Sequence, residues 1–177
     1  FDDRILKTIG KGSTRKTNLR SFFWTLEAGI NAVPQQIIGF PNEDFDSLRM
    51  QMKAWDDLGI QVLPHFATAY PGSEWFYKYK DSIINQYEGS LEDYVKDLGD
   101  ASKITGVISH NFSGLELLGL QEIVAKRDLR LLDQASKHWV KSKVESVAVP
   151  QESINFVRKK INGPISNEGT SIYLEVN

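Results

Sequence analysis

The residues best suited to hold a polar ligand stand in and just after two short apolar segments. Gln35 and Gln36 interrupt the run at 32–38, and His65 interrupts the run at 62–66. A glutamine amide both donates and accepts, as a ribose or other polar ligand requires. Strand alternation sends Gln35 and Gln36 to opposite faces. One can therefore face a ligand, while the other must find partners among buried groups. The first run ends in Gly39-Phe40-Pro41-Asn42-Glu43-Asp44 and the second in Thr68-Ala69-Tyr70-Pro71-Gly72. Gly39 lets backbone approach a ligand closely, and the helix that follows offers free N–H groups. Glu43 and Asp44 oppose a phosphate there, and a plainer role for both is to complement the helix dipole. His65 has only His110 and His138 for company, and no pair has metal-ligand spacing. The basic loop of Lys11, Arg15 and Lys16 could meet a carboxylate or phosphate, or simply be solvated. Tyr70, Trp75, Phe76, Tyr77 and Tyr79 could stack on an aromatic ligand or pack a core. No Ser-His-Asp order, Walker loop, GxGxxG or EF-hand pattern occurs.

Two matching stretches must position these residues. Gly29-Ile30-x3-Pro34-x5-Phe40-Pro41 and Gly59-Ile60-x3-Pro64-x5-Tyr70-Pro71 stand thirty residues apart. That interval is about one strand plus one helix, the repeating unit of an α/β barrel or doubly wound sheet. In such folds ligands gather at the carboxyl ends of the strands. The repeat sets Gln35 and His65 at equivalent positions, on the same face of their strands.

The pattern predicts a short helix at 2–10, then a helix capped by Thr17 or Asn18 with Leu19, Phe22, Phe23 and Leu26 inward and Gly29 as its left-handed exit. Strands follow at 32–38 and 62–66. Between them a helix capped by Asp44 turns Phe45, Leu48, Met52 and Trp55 inward and stops at Gly59. Ser73 caps a helix at 74–79, and Ser90 opens a capping box before Tyr94. Ser113-Gly114-Leu115-Glu116 caps one long helix to about residue 137, with Leu118, Ile123, Val124, Leu131 and Ala135 apolar. A break at 147–150, a helix at 152–161, a turn at Asn162-Gly163-Pro164 and a strand at 171–176 complete the reading.

Composition narrows the function classes. The 177 residues suffice for one ordinary domain with a sizeable core. A formal charge of −2 leaves no basic footprint for nucleic acid. No apolar run approaches the roughly 20 residues of a membrane span, and no signal-peptide pattern occurs. With no cysteine, disulfides, zinc–thiolate sites and cysteine-ligated clusters cannot form within the chain. A reduced, cytoplasmic setting is expected.

Four segments in order resemble the later half of a radical S-adenosylmethionine enzyme, of the cobalamin-binding-like type. They are Asp3-Arg4-Ile5-Leu6-Lys7-x3-Lys11-Gly12-x-Thr14, Glu27-Ala28-Gly29-Ile30, Ile37-Ile38-Gly39-Phe40-Pro41-Asn42-Glu43 and Tyr70-Pro71-Gly72-Ser73. The resemblance covers about residues 1–80 and extends more loosely to about 135. It implies an α/β fold: the last strand–helix units of a partial (β/α)6 barrel at 1–80, then a mainly helical extension at 81–177. It implies that Lys11 binds the methionyl carboxylate of S-adenosylmethionine and that Gln35 lies near the ribose. It implies that Ile37 and Gly39 pack on the adenine, and that the backbone of Ala67, Thr68 and Ala69 lies beside it. No catalytic residue and no metal ligand is assigned.

The family's three cysteines follow the first strand of its barrel, and this chain has none. The resemblance therefore implies a C-terminal fragment, inactive alone. The [4Fe–4S] cluster, and cobalamin where used, would belong to the parent enzyme only. Half a barrel leaves an open strand edge, so self-association or pairing with the missing half is expected. Two alternatives stand beside this reading. One is a cofactor-independent barrel enzyme of aldolase or isomerase type, with His65 or Lys11 as acid or base. The other is a non-catalytic α/β interaction module. The small-molecule substrate is not specified by these residues.

Overall fold

A computed structural model describes residues 2–99 and 104–142. The elements run α1 (Asp3–Thr8), α2 (Arg15–Glu27), β1 (Gln36–Ile38), α3 (Phe45–Asp57), β2 (Pro64–Phe66), α4 (Glu74–Gln86), α5 (Leu91–Asp97), α6 (Gly114–Lys126) and α7 (Leu129–Ser142). The mixture of helices with a parallel sheet is α/β in class. β1 and β2 pair in parallel, with Gln36 opposite Pro64, Ile37 opposite His65 and Ile38 opposite Phe66. Among the described residues the sheet has these two strands alone, and no barrel is closed. The expectations at 147–150, 152–161, 162–164 and 171–176 lie outside the described residues.

Helix α3 is the crossover between the strands, and its sequence dictates its placement. Asp44 caps it by accepting the Ser47 N–H at 2.8 Å. Leu48, Met52 and Trp55, at helical spacing, are buried against the sheet. The same core takes Ile38 and Phe66 from the strands, Leu117, Leu120, Ile123 and Val124 from α6, and Leu132 from α7. A second core lies under the loops that leave the strands. It joins Ile5 of α1, Phe40, Ala67 and Ala69 to Phe76 and Ile83 of α4 and Tyr94 of α5. Both cores thus combine residues from before and after position 80. No helix among the described residues is long and apolar enough to cross a membrane.

Several sequence expectations are corrected. Thr14, not Thr17 or Asn18, caps α2; Thr14 and Thr17 instead form a reciprocal capping box. The expected core face of α2 is not buried: the helix has no buried residue, and Phe23, Trp24 and Leu26 are exposed. Periodicity detects an apolar stripe but not whether anything covers it. The long helix expected from residue 114 is two. Arg127 takes a left-handed conformation at φ 55° and ends α6, and Asp128 then accepts the Leu131 N–H at 3.0 Å to start α7. The break rotates the second half, so Leu132 is buried and Leu131 is exposed. The strands are also shorter than the apolar runs, and α4 extends past 79 to Gln86.

Candidate functional site

The outward face of the sheet and the loops beyond its carboxyl ends form a cleft of about 350 Å³, lined by residues that include Gln35, Ile37, His65, Ala67, Thr68 and Trp75. Alternation explains the division of the two glutamines. Gln35 reaches the cleft, while Gln36 turns into the core and accepts from Trp55 Nε1 at 2.8 Å. Ile37 and His65 face each other across the ladder. The thirty-residue repeat and the pairing offset differ by two residues, one full strand period. The equivalence of Gln35 and His65 therefore survives as a shared face but not as a direct pair.

Aromatic side chains build the far wall. Phe40 and Trp75 meet edge to face with ring centroids 5.6 Å apart. Tyr70 also lines the cleft and is exposed. Phe40, His65, Tyr70 and Trp75 were not assigned to a ligand by the resemblance. The signal for two of them is the aromatic–proline turn at the end of each repeat.

The backbone of these loops is fixed from behind. The Ala67 N–H donates to the Ile38 carbonyl at 2.8 Å, extending the ladder past β2. Thr68 Oγ1 lies 3.3 Å from Thr105 Oγ1. The Tyr94 hydroxyl donates to the Ala69 carbonyl. Burial first, then the neighbouring Tyr87 and Tyr70, push Tyr94 up to about 12, so it remains a donor throughout the neutral range. After β1 the loop before α6 does the stapling: the His110 N–H donates to the Pro41 carbonyl at 3.0 Å and Asn111 Nδ2 to the Glu43 carbonyl at 2.9 Å.

Gly39 has φ +89°, and a Cβ there would lie 3.1 Å from Leu117 Cδ1. Glycine is therefore favoured by conformation, and a Cβ would also press closely on the Leu117 side chain. Its N–H donates to Glu43 Oε2 at 2.6 Å. Glu43 is fully buried, which the sequence reading of it as a helix-dipole partner did not foresee. Burial raises its carboxyl to about 7, against the opposing pull of the Gly39 N–H and the Gln51 amide.

Four of the seven expected ligand residues, Gln35, Ile37, Ala67 and Thr68, line one cleft. Gly39 and Ala69 are buried in its supporting turns. Lys11 is exposed in the loop after α1, where its N–H caps back to the Leu6 carbonyl at 3.1 Å. His110 is also away from the cleft, 3.3 Å from the Tyr79 hydroxyl. Among the described residues no group of three or more His, Cys, Asp or Glu could hold a metal ion. No protein-family model, curated protein or solved structure matches the chain.

Proposed function

We propose that this chain contributes part of the S-adenosylmethionine-binding rim of a radical S-adenosylmethionine enzyme, as the last strand–helix units of its partial barrel with a helical extension. The observation that carries the reading is the cleft itself: residues assigned to the cofactor by resemblance alone share one concave surface made by the outward face of β1 and the loop that leaves β2. Its character suits a nucleoside. Ile37, Phe40, Tyr70 and Trp75 offer apolar and aromatic surface, and Gln35, Thr68 and His65 offer a few polar contacts. The methionyl end is less well provided for, since Lys11 is not among the lining residues. Bound there, S-adenosylmethionine would supply a sulfonium for reductive cleavage. This chain's residues would bind and orient the adenosyl group.

The iron–sulfur cluster does not fit this chain, which has no cysteine to ligate it. The cysteines, and any cobalamin site, would come from sequence outside these residues. Pairing with such a segment, or with a second copy, is supported by two features. β1 pairs only with β2 among the described residues, and α2 exposes Phe23, Trp24 and Leu26.

Calorimetric titration of the chain with S-adenosylhomocysteine tests the reading. Saturable binding that is abolished by Ile37→Arg supports it; absence of binding by the folded chain overturns it. Independently, the reading predicts a Cys-x3-Cys-x2-Cys run in the coding sequence roughly 100–200 residues upstream, consistent with three further strand–helix units of about 30 residues each plus any preceding domain.

A further inference from the structure

The cleft chemistry makes no use of the Glu43 carboxyl, yet its two oxygens are held by donors of different kinds. Oε2 accepts from the Gly39 N–H at 2.6 Å, a backbone group fixed in the turn. Oε1 accepts from Gln51 Nε2 at 2.9 Å, an amide that can rotate. The same Nε2 lies 3.3 Å from Ser47 Oγ. A proton arriving on Oε2 would set O–H against N–H, and the backbone cannot turn away. A proton on Oε1 meets the Gln51 amide, and a half-turn of that amide replaces its donor with its acceptor oxygen. The Phe40 N–H is a further backbone donor that favours the ionised carboxyl.

We propose that Glu43 and Gln51 form a two-state proton switch that sets how firmly the β1–α3 turn, and with it the Phe40 wall of the cleft, is held. Ionised, Glu43 gives Gly39 a charge-assisted hydrogen bond; protonated, it gives a neutral one of about half the strength. Gly39 leads directly into Phe40, and Leu117 fills the space where a Gly39 Cβ would stand. The raised position of the Glu43 carboxyl, about 7, populates both states near neutrality. The inference stands whatever the cleft binds.

The groups around the turn are few. On α3, Asp44 caps the helix, and Ser47 also hydrogen-bonds Asp2. From α1, Arg4 bridges Asp2 at 2.8 Å and Asp44 at 3.5 Å. The loop before α6 brings Asn111 and His110, whose ring meets Tyr79. α6 presents apolar Leu117.

Nuclear magnetic resonance on the full, uniformly labelled chain tests the switch. As pH rises, the Gly39 amide proton should move downfield and the Gln51 side-chain amide should shift with it, both with a midpoint near 7. Glu43→Gln should abolish both transitions. Gln51→Met keeps the volume but removes a donor to the carboxylate, so the Gly39 midpoint should rise by about one pH unit. His110→Gln should leave it in place. A Gly39 shift that stays flat in the folded wild type, that survives Glu43→Gln, or that is unmoved by Gln51→Met overturns the proposal. Should Glu43→Gln not fold, the wild-type titration and Gln51→Met decide between the outcomes by themselves.

Discussion

Trp55 Nε1 donates to Gln36 Oε1 at 2.8 Å, joining the last turn of α3 to the core face of β1. The bond is half of an incomplete arrangement, because Gln36 Nε2 is buried without a hydrogen-bond partner among the described residues. Trp55→Phe removes this donor and strands the whole amide, an expected loss of about 1–3 kcal/mol. Gln36→Met withdraws the acceptor but also removes the unpartnered Nε2, so it should cost less. Denaturant unfolding of both single variants and the double variant measures this. Losses that simply add would contradict the pairing.

Gly39→Ala should be strongly destabilising, by about 1–3 kcal/mol for the φ of +89°. The Leu117 contact adds to that. Combining it with Leu117→Ala should relieve the clash but not the backbone strain, so the double variant stays less stable than Leu117→Ala alone. Equal stability of those two would show that the conformation is not strained.

Stability should depend on pH through Glu43 in a particular sense. Its carboxyl is raised from 4.5 to about 7 by folding, so the folded chain binds the proton more tightly than the unfolded chain. Stability from this group is then fully present below about 4.5 and is lost as pH rises to about 7. The full loss is about 3 kcal/mol, the value of about 7 already including the hydrogen bonds that favour the ionised form. Asp2 acts in the opposite sense. Burial pushes it up, but its bonds to the Arg4 guanidinium and backbone outweigh that and hold it below 3.8. Its contribution is lost as pH falls through that range. Thermal melts between these limits should decline toward neutral pH in the wild type and flatten in Glu43→Gln.

Thr14→Ala should fray α2 without lowering global stability by more than about 1 kcal/mol. The helix buries none of its side chains, so its capping box is a large part of what defines its start. Amide exchange should quicken along α2 while α3 and α6 keep their protection. A cooperative loss across all helices would show that α2 is packed in solution, as by a second copy.

Much of the local structure was legible from side-chain chemistry. Asp44, Ser73, Ser90 and Ser113 cap the helices they were expected to cap, and Gly29 and Gly59 leave their helices at positive φ. The opposite orientations of Gln35 and Gln36 followed from strand alternation. The break at Arg127 was not legible, because a left-handed arginine leaves no mark in a helical pattern that resumes at Leu129.

Sequence by itself determined the caps, the glycine exits, the two strand–helix repeats and the lack of any cysteine in these 177 residues. These rest on contacts within a few residues or on composition. Tertiary structure alone decided that the stripe of α2 is uncovered, that Phe40, Trp75 and Tyr70 join Gln35 and Thr68 around one cleft, and that Glu43 is sealed in the core. Burial is set by what distant segments place over a side chain, here the loop before α6 and α6 itself. The same carboxylate that would simply favour a helix terminus in water becomes, once water is excluded, a group that titrates near neutrality.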